Sequence, residues 1–285
     1  MIRRHHVTAL LTVLLVAYSV TTTFLRQNRN AFIYNQFVEY TIPSEYLKPI
    51  SLEFKGLASD ILLFKFMAFI GGRTGQLDDF TADDWDAVKN ALDTITDLDP
   101  RFWDAYLFAQ VFLTWNEAHF EDANKMLLKA KKFFPDDYRI PYYIGLNYYN
   151  FGGDMKKGAQ YLMEASQLPG SPYYLASLAA RMSAYGSDYE RGIIFLGEML
   201  KQTNSPDVAE QYKMRIKLLQ SMHAIDSAIR SFQEKYQRLP DGLSELVKVG
   251  AIPSIPEDPY GGKFYISDDG RISTTSKMLK MEKAN

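Results

Sequence analysis

The chain has 285 residues, 47% hydrophobic and 23% charged, a balance that suits one large or two modest globular domains and excludes wholesale disorder. Its formal net charge of −2 supplies no global field for nucleic acid or an anionic membrane surface. The absence of cysteine excludes disulfides, Cys-ligated zinc, CxxCH haem attachment and thiol nucleophiles.

Residues 1–6 carry Arg3, Arg4, His5 and His6, and Val7 to Leu25 then runs 19 residues without a charge. As a helix this stretch is about 28 Å long, close to the ~30 Å of a bilayer's hydrocarbon core. Positive charge ahead of it predicts a cytoplasmic tip at 1–6, a transmembrane anchor at 7–25 and an extracytoplasmic body. Ala17 and Ser19 also suit a signal-peptidase site, so a cleaved signal peptide is the alternative. The expected location is the inner (cytoplasmic) membrane, single-pass, with the bulk of the chain in the periplasm.

Residues 26–50, interrupted by Pro43 and Pro49, read as a connector. Ser51 to Gly71 is strongly apolar but contains Lys55, Asp60 and Lys65, which predicts a buried or amphipathic helix rather than a second span. Thr81 opens the next helix, with Asp83 and Asp84 in its first turn, and Asp99-Pro100 ends it. A beat of about 35 residues follows. Ala123, Gly158 and Gly192 are 35 and 34 apart, Ala130, Ala165 and Met199 keep that spacing, and Pro100 and Pro135 repeat it. Such a period predicts stacked helical pairs. The pairs are Phe102–Trp115 with Phe120–Phe133, Pro141–Phe151 with Met155–Gln167, and Pro172–Tyr185 with Tyr189–Gln202.

On these residues the stretch 81–202 resembles tetratricopeptide repeats, with three clear repeats and a degenerate fourth inside a domain at 51–204. The resemblance places small residues where paired helices touch: Ala109, Ala123 and Ala130, then Gly145, Gly158 and Ala165, then Ala179, Ala180 and Gly192. Gln110 and Met199 depart from the pattern. It also implies a helical-hairpin solenoid whose first helices line a groove for protein partners. By register the groove residues are Asp104, Leu107, Val111 and Trp115, then Arg139, Tyr142, Leu146 and Tyr149, then Tyr174, Ser177, Arg181 and Tyr185. Arg139 and Arg181 are expected to meet carboxylates of an extended peptide.

From Ser205 the period is lost. A long helix from Pro206 to about Gln237, a short helix at Leu243–Val249 and two strands around Asp268-Asp269-Gly270 complete the chain. Tyr236 to Pro240 and the Pro256, Asp258, Pro259, Tyr260, Gly261 turn resemble the C-terminal half of major pseudopilins of type II secretion. The expected fold is therefore mainly α, with a small α+β module at 205–285.

Little here suggests chemistry. His5, His6, His119 and His223 have no metal-ligand or triad spacing. Glu257, Asp258, Asp268 and Asp269 form no EF-hand pattern, and Gly71-Gly72-Arg73-Thr74-Gly75 lacks the ending of a phosphate loop. No catalytic, metal or cofactor residue is expected, and no nucleic acid. The expected function is a non-enzymatic anchored scaffold in an envelope assembly, most readily a secretion or pilus-like system. The alternative is a periplasmic chaperone or maturation factor presenting exported clients, for example for cytochrome maturation.

Overall fold

A computed structural model describes residues 11–26, 42–73, 79–267 and 269–276. The expected cytoplasmic tip, the start of the anchor, most of the connector, Thr74-Gly75 and Asp268 lie outside these. The described residues are mainly helical with one antiparallel hairpin, and the chain divides into two compact units, residues 1–126 and 127–285.

In the first unit, α1 runs through residues 11–26 with every side chain exposed. No helix among the described residues is long and apolar enough to cross a membrane. α2 (Ser44–Ser51) forms where a connector was expected, with Pro49 inside it. Tertiary contacts outweigh the missing Pro N–H: Ser44 Oγ and Lys48 Nζ donate to Asp97 Oδ2 at 2.5 and 3.1 Å.

α3 (Lys55–Gly72) follows a tight turn at Leu52–Phe54 and buries Ser59, Leu63, Phe66, Phe69 and Ile70. It packs on α4 (Ala82–Leu98), where Ser59 Oγ donates to the Ile95 carbonyl at 2.9 Å. α4 begins with a capping box in which Thr81 and Asp84 satisfy each other's backbone N–H groups. Arg73 reaches back to Asp84 at 2.7 Å and lies 4.7 Å over the Phe80 ring, closing the segment between the two helices. Burial opposes the Asp84 charge, yet hydrogen bonds from Thr81 and the Arg73 guanidinium hold its pKa below the usual carboxylate value. α5 (Trp103–Leu113) packs on α4, and its Phe112 meets Phe66 edge-on at 5.6 Å.

α6 (Phe120–Lys131) straddles the division between the units. In the second unit α7 (Arg139–Asn147), α8 (Met155–Gln167), α9 (Tyr174–Tyr185), α10 (Tyr189–Gln202) and α11 (Pro206–Tyr236) each pack on the next in sequence, and α11 also meets α9. The α7–α8 crossing is backbone on backbone. A Cβ at Gly145 would lie 3.0 Å from the Gly158 carbonyl oxygen, and one at Gly158 would lie 2.7 Å from Met182 Sδ. The turn between them is a π-helical Tyr148–Gly152, then Gly153 at φ 61°, then Asp154, whose carboxylate accepts from Lys157 N at 3.0 Å.

α12 (Leu243–Lys248), β1 (Phe264–Ile266) and β2 (Ile272–Thr274) follow. The strands pair antiparallel with Tyr265 opposite Ser273. Leu246, Phe264 and Ile272 enter the same hydrophobic core as Leu196, Leu219 and Ile225, so tail and helices share one interior.

Two outcomes test this packing. Gly158→Ala is expected to lower unfolding stability by about 1–3 kcal/mol, because the added methyl forces the crossing apart. Gly197→Ala, in α10 with nothing within 4 Å of its would-be Cβ, is expected to raise it by up to about 1 kcal/mol through helix propensity; urea midpoints decide both. The second outcome concerns alkali. Burial pushes the phenols of Tyr106 and Tyr189 up to about 12, with nearby carboxylates adding to the shift. A folded-state value above the unfolded one near 10 keeps its contribution below pH 10, and that contribution is lost as pH rises toward 12. Tyr106→Phe with Tyr189→Phe should flatten the fall in stability between those pH values, read by denaturant titration.

Candidate protein-interaction face

The helical spacing of three and four residues puts Asp104, Leu107 and Val111 on one side of α5, with Trp115 just past its end. Asp104, Val111 and Trp115 are exposed and Leu107 is half-buried. Phe108, Phe112 and Trp115 stack in succession with centroids 6.1 and 6.4 Å apart. This set belongs to the first unit and is described by itself.

In the second unit, α7 carries Arg139, Tyr142 and Leu146, and the π-helical turn carries Tyr149. α9 carries Tyr174, Ser177, Arg181 and Tyr185. Tyr149, Tyr174 and Tyr185 are exposed, and the other five are half-buried. The two helices bring their tyrosines near each other. Burial, then Tyr174, Tyr143 and Tyr138, raise the Tyr142 phenol above its ordinary value. Tyr142 and Tyr143 lie 5.3 Å apart, and Tyr173 meets Tyr174 edge-on at 6.5 Å.

The two arginines differ. Arg139 is already engaged by Asp137, which accepts its Nε at 2.9 Å and its Nη2 at 2.6 Å. Burial disfavours the Asp137 charge, but the Arg139 side chain and N–H outweigh it and hold the carboxyl below its usual range. A peptide carboxylate would have to displace Asp137 there. Arg181 has no ion pair among the described residues.

Arg181 and Tyr185 instead line a cleft of about 390 Å³ whose other wall is the tail: Tyr265, Ile272, Ser273, Thr274 and Ser276. Arg271 Nη1 donates to the Tyr185 carbonyl at 3.2 Å and so ties the hairpin to the end of α9. Asp258, buried, accepts from Tyr260 N at 2.8 Å and from Thr274 Oγ1, which stitches the Asp258-Pro259-Tyr260-Gly261 turn to β2. Arg215 is buried nearby with its guanidinium 5.0 Å over the Tyr260 ring. Burial, with Arg181 adding to it, lowers the Arg215 pKa against the opposing effect of Tyr260. The result is a cleft with a cation, two phenols and three hydroxyls, which is suited to polar and anionic groups.

The register reading missed the tail wall of this cleft. Tyr265, Ser273 and Thr274 lie more than 80 residues from Arg181 in sequence, and no period connects them. Of the histidines, His119 lies tilted against Trp85 with ring centroids 4.7 Å apart and Nδ1 3.4 Å from Asp122, and His223 Nε2 is 3.6 Å from Glu190. Among the described residues no group of three His, Asp or Glu converges as a metal site.

Thr274→Val removes the hydroxyl that buried Asp258 accepts from. It is expected to cost about 1–3 kcal/mol and to lower the thermal midpoint, while Ser273→Ala on the same strand should cost less than about 0.5 kcal/mol.

Compared with known proteins, the chain matches no family model, no curated protein and no solved structure.

Proposed function

We infer that this chain is a non-enzymatic scaffold, anchored in the inner membrane and facing the periplasm, whose tetratricopeptide-like helical repeats form a solenoid that holds protein partners. The observation that carries the reading is the set of exposed tyrosines, Tyr149 in the turn after α7 and Tyr174 and Tyr185 on α9, two elements that both flank α8. Large, rigid side chains with a polar tip bury contact area at low entropic cost, which is what interaction hot spots require. The uncharged stretch at 7–25 supports the anchor, and the pseudopilin-like turn around Asp258 supports a place in a secretion or pilus-like envelope assembly. Arg181, with no ion pair among the described residues, is the cation available to a partner's carboxylate.

The reading is tested by placing a photo-crosslinking residue at Tyr149, Tyr174 or Tyr185 of the full chain in cells, with Ile194, exposed on α10, as the control. Adducts with a few envelope subunits in constant ratio, absent at 194, are the expected result. A scatter of exported clients would favour the chaperone reading, and equal labelling at all four positions would overturn a partner face on α7 and α9.

A further inference from the structure

α3 is apolar on both sides, and only one side is used. At 100° per residue, Ser59, Leu63, Phe66 and Ile70 fall on the face that packs on α4. Leu57, Ile61, Phe64 and Ala68 fall within an arc of about 60° on the opposite face. They are exposed there, Phe64 at 74% and Leu57 at 56%. Asp60 and Lys65 border this stripe on its two sides, so its centre is uncharged and its edges cancel. The residues just before α3 continue the pattern: Ile50 at the end of α2 is 71% exposed, and Leu52 and Phe54 in the turn are 69% and 68% exposed. A row of this size on a water-facing helix requires a cover.

We propose that this face of α3, with the preceding turn, lies on the surface of the bilayer and takes lipid acyl chains as its partner. Three observations select lipid over protein. The stripe has no unbalanced charge for a charged protein surface to complement. Lys65 at its edge has a stem long enough to lie along acyl chains while its ammonium stays in water. Upstream, residues 11–26 form a helix that is exposed at every position, and all of it but Arg26 falls in the uncharged stretch 7–25. The 17 residues between Arg26 and Ser44 reach at most about 60 Å fully extended. A bilayer that holds the upstream stretch is therefore within reach of α3. This proposal rests on the anchored reading given above.

The chain has no cysteine, so single-cysteine variants label cleanly. The full chain is reconstituted in liposomes that carry a lipid with a spin-label quencher on its acyl chain. An environment-sensitive fluorophore is placed at Leu14→Cys, Phe64→Cys or Ile194→Cys. Several-fold stronger quenching at 64 than at 194, with a blue-shifted emission, is expected. Quenching at 14 with none at 64 overturns the proposal and leaves the anchor standing. A blue shift at 64 without quenching also overturns it, since protein then covers the face. Quenching at 64 without quenching at 14 keeps the surface contact and removes the anchor; quenching at neither removes both.

Discussion

The second unit depends on how closely two helix backbones can approach. At the α7–α8 crossing the carbonyl of Gly158 occupies the space a side chain at Gly145 would need, and the reverse holds at Gly158. Helices this near leave no room for branched residues between their axes. Leu162 and Met182 fill the space left beside the two glycines, 3.0 and 2.7 Å from their would-be Cβ positions, and share one core with Leu196. Gly192 repeats the arrangement one pair later, where a Cβ would lie 3.3 Å from the Ala180 carbonyl oxygen. α9, which carries Tyr174, Arg181 and Tyr185, is held on both sides, by Met182 against Gly158 of α8 and by the Ala180 carbonyl against Gly192 of α10.

The first unit solves a different problem with charge. Its main helices, α3 and α4, are joined across a segment that an ion pair and a capping box close together. Asp84 serves both, accepting from Thr81 and from Arg73 while buried. A buried carboxylate is costly unless several donors reach it, and here they do. Asp97 does similar work at the other end of α4, gathering Ser44 and Lys48 of α2.

Much of the helical layout was legible from the sequence because its signals are local. Thr81 with Asp84 marks a helix start, and the long helix expected from Pro206 to about Gln237 runs from Pro206 to Tyr236. The 35-residue beat located Gly158 and Gly192, the repeat resemblance added Gly145, and at all three a backbone carbonyl lies 3.0–3.3 Å from the would-be Cβ. Three features were not legible, each for lack of a local signal. α2 forms around Pro49 because Asp97, almost 50 residues away, holds its side chains. Asp137 engages Arg139 two residues on, a pairing that helical register alone does not reveal. The wall opposite Arg181 comes from a hairpin whose strands pattern like any short hairpin and give no sign of where they dock.

That hairpin has a consequence for how the molecule is made. α9 leaves the ribosome long before the strands that complete its cleft, with Ser276 emerging 95 residues after Arg181. During that interval Phe264 and Ile272 are not yet available to the core they later enter. The cleft thus exists only once β2 has docked. A chain broken off before β2 would lack Ile272 from the shared core and Ser273, Thr274 and Ser276 from the cleft wall, so the recess and part of the interior are completed by the same late segment.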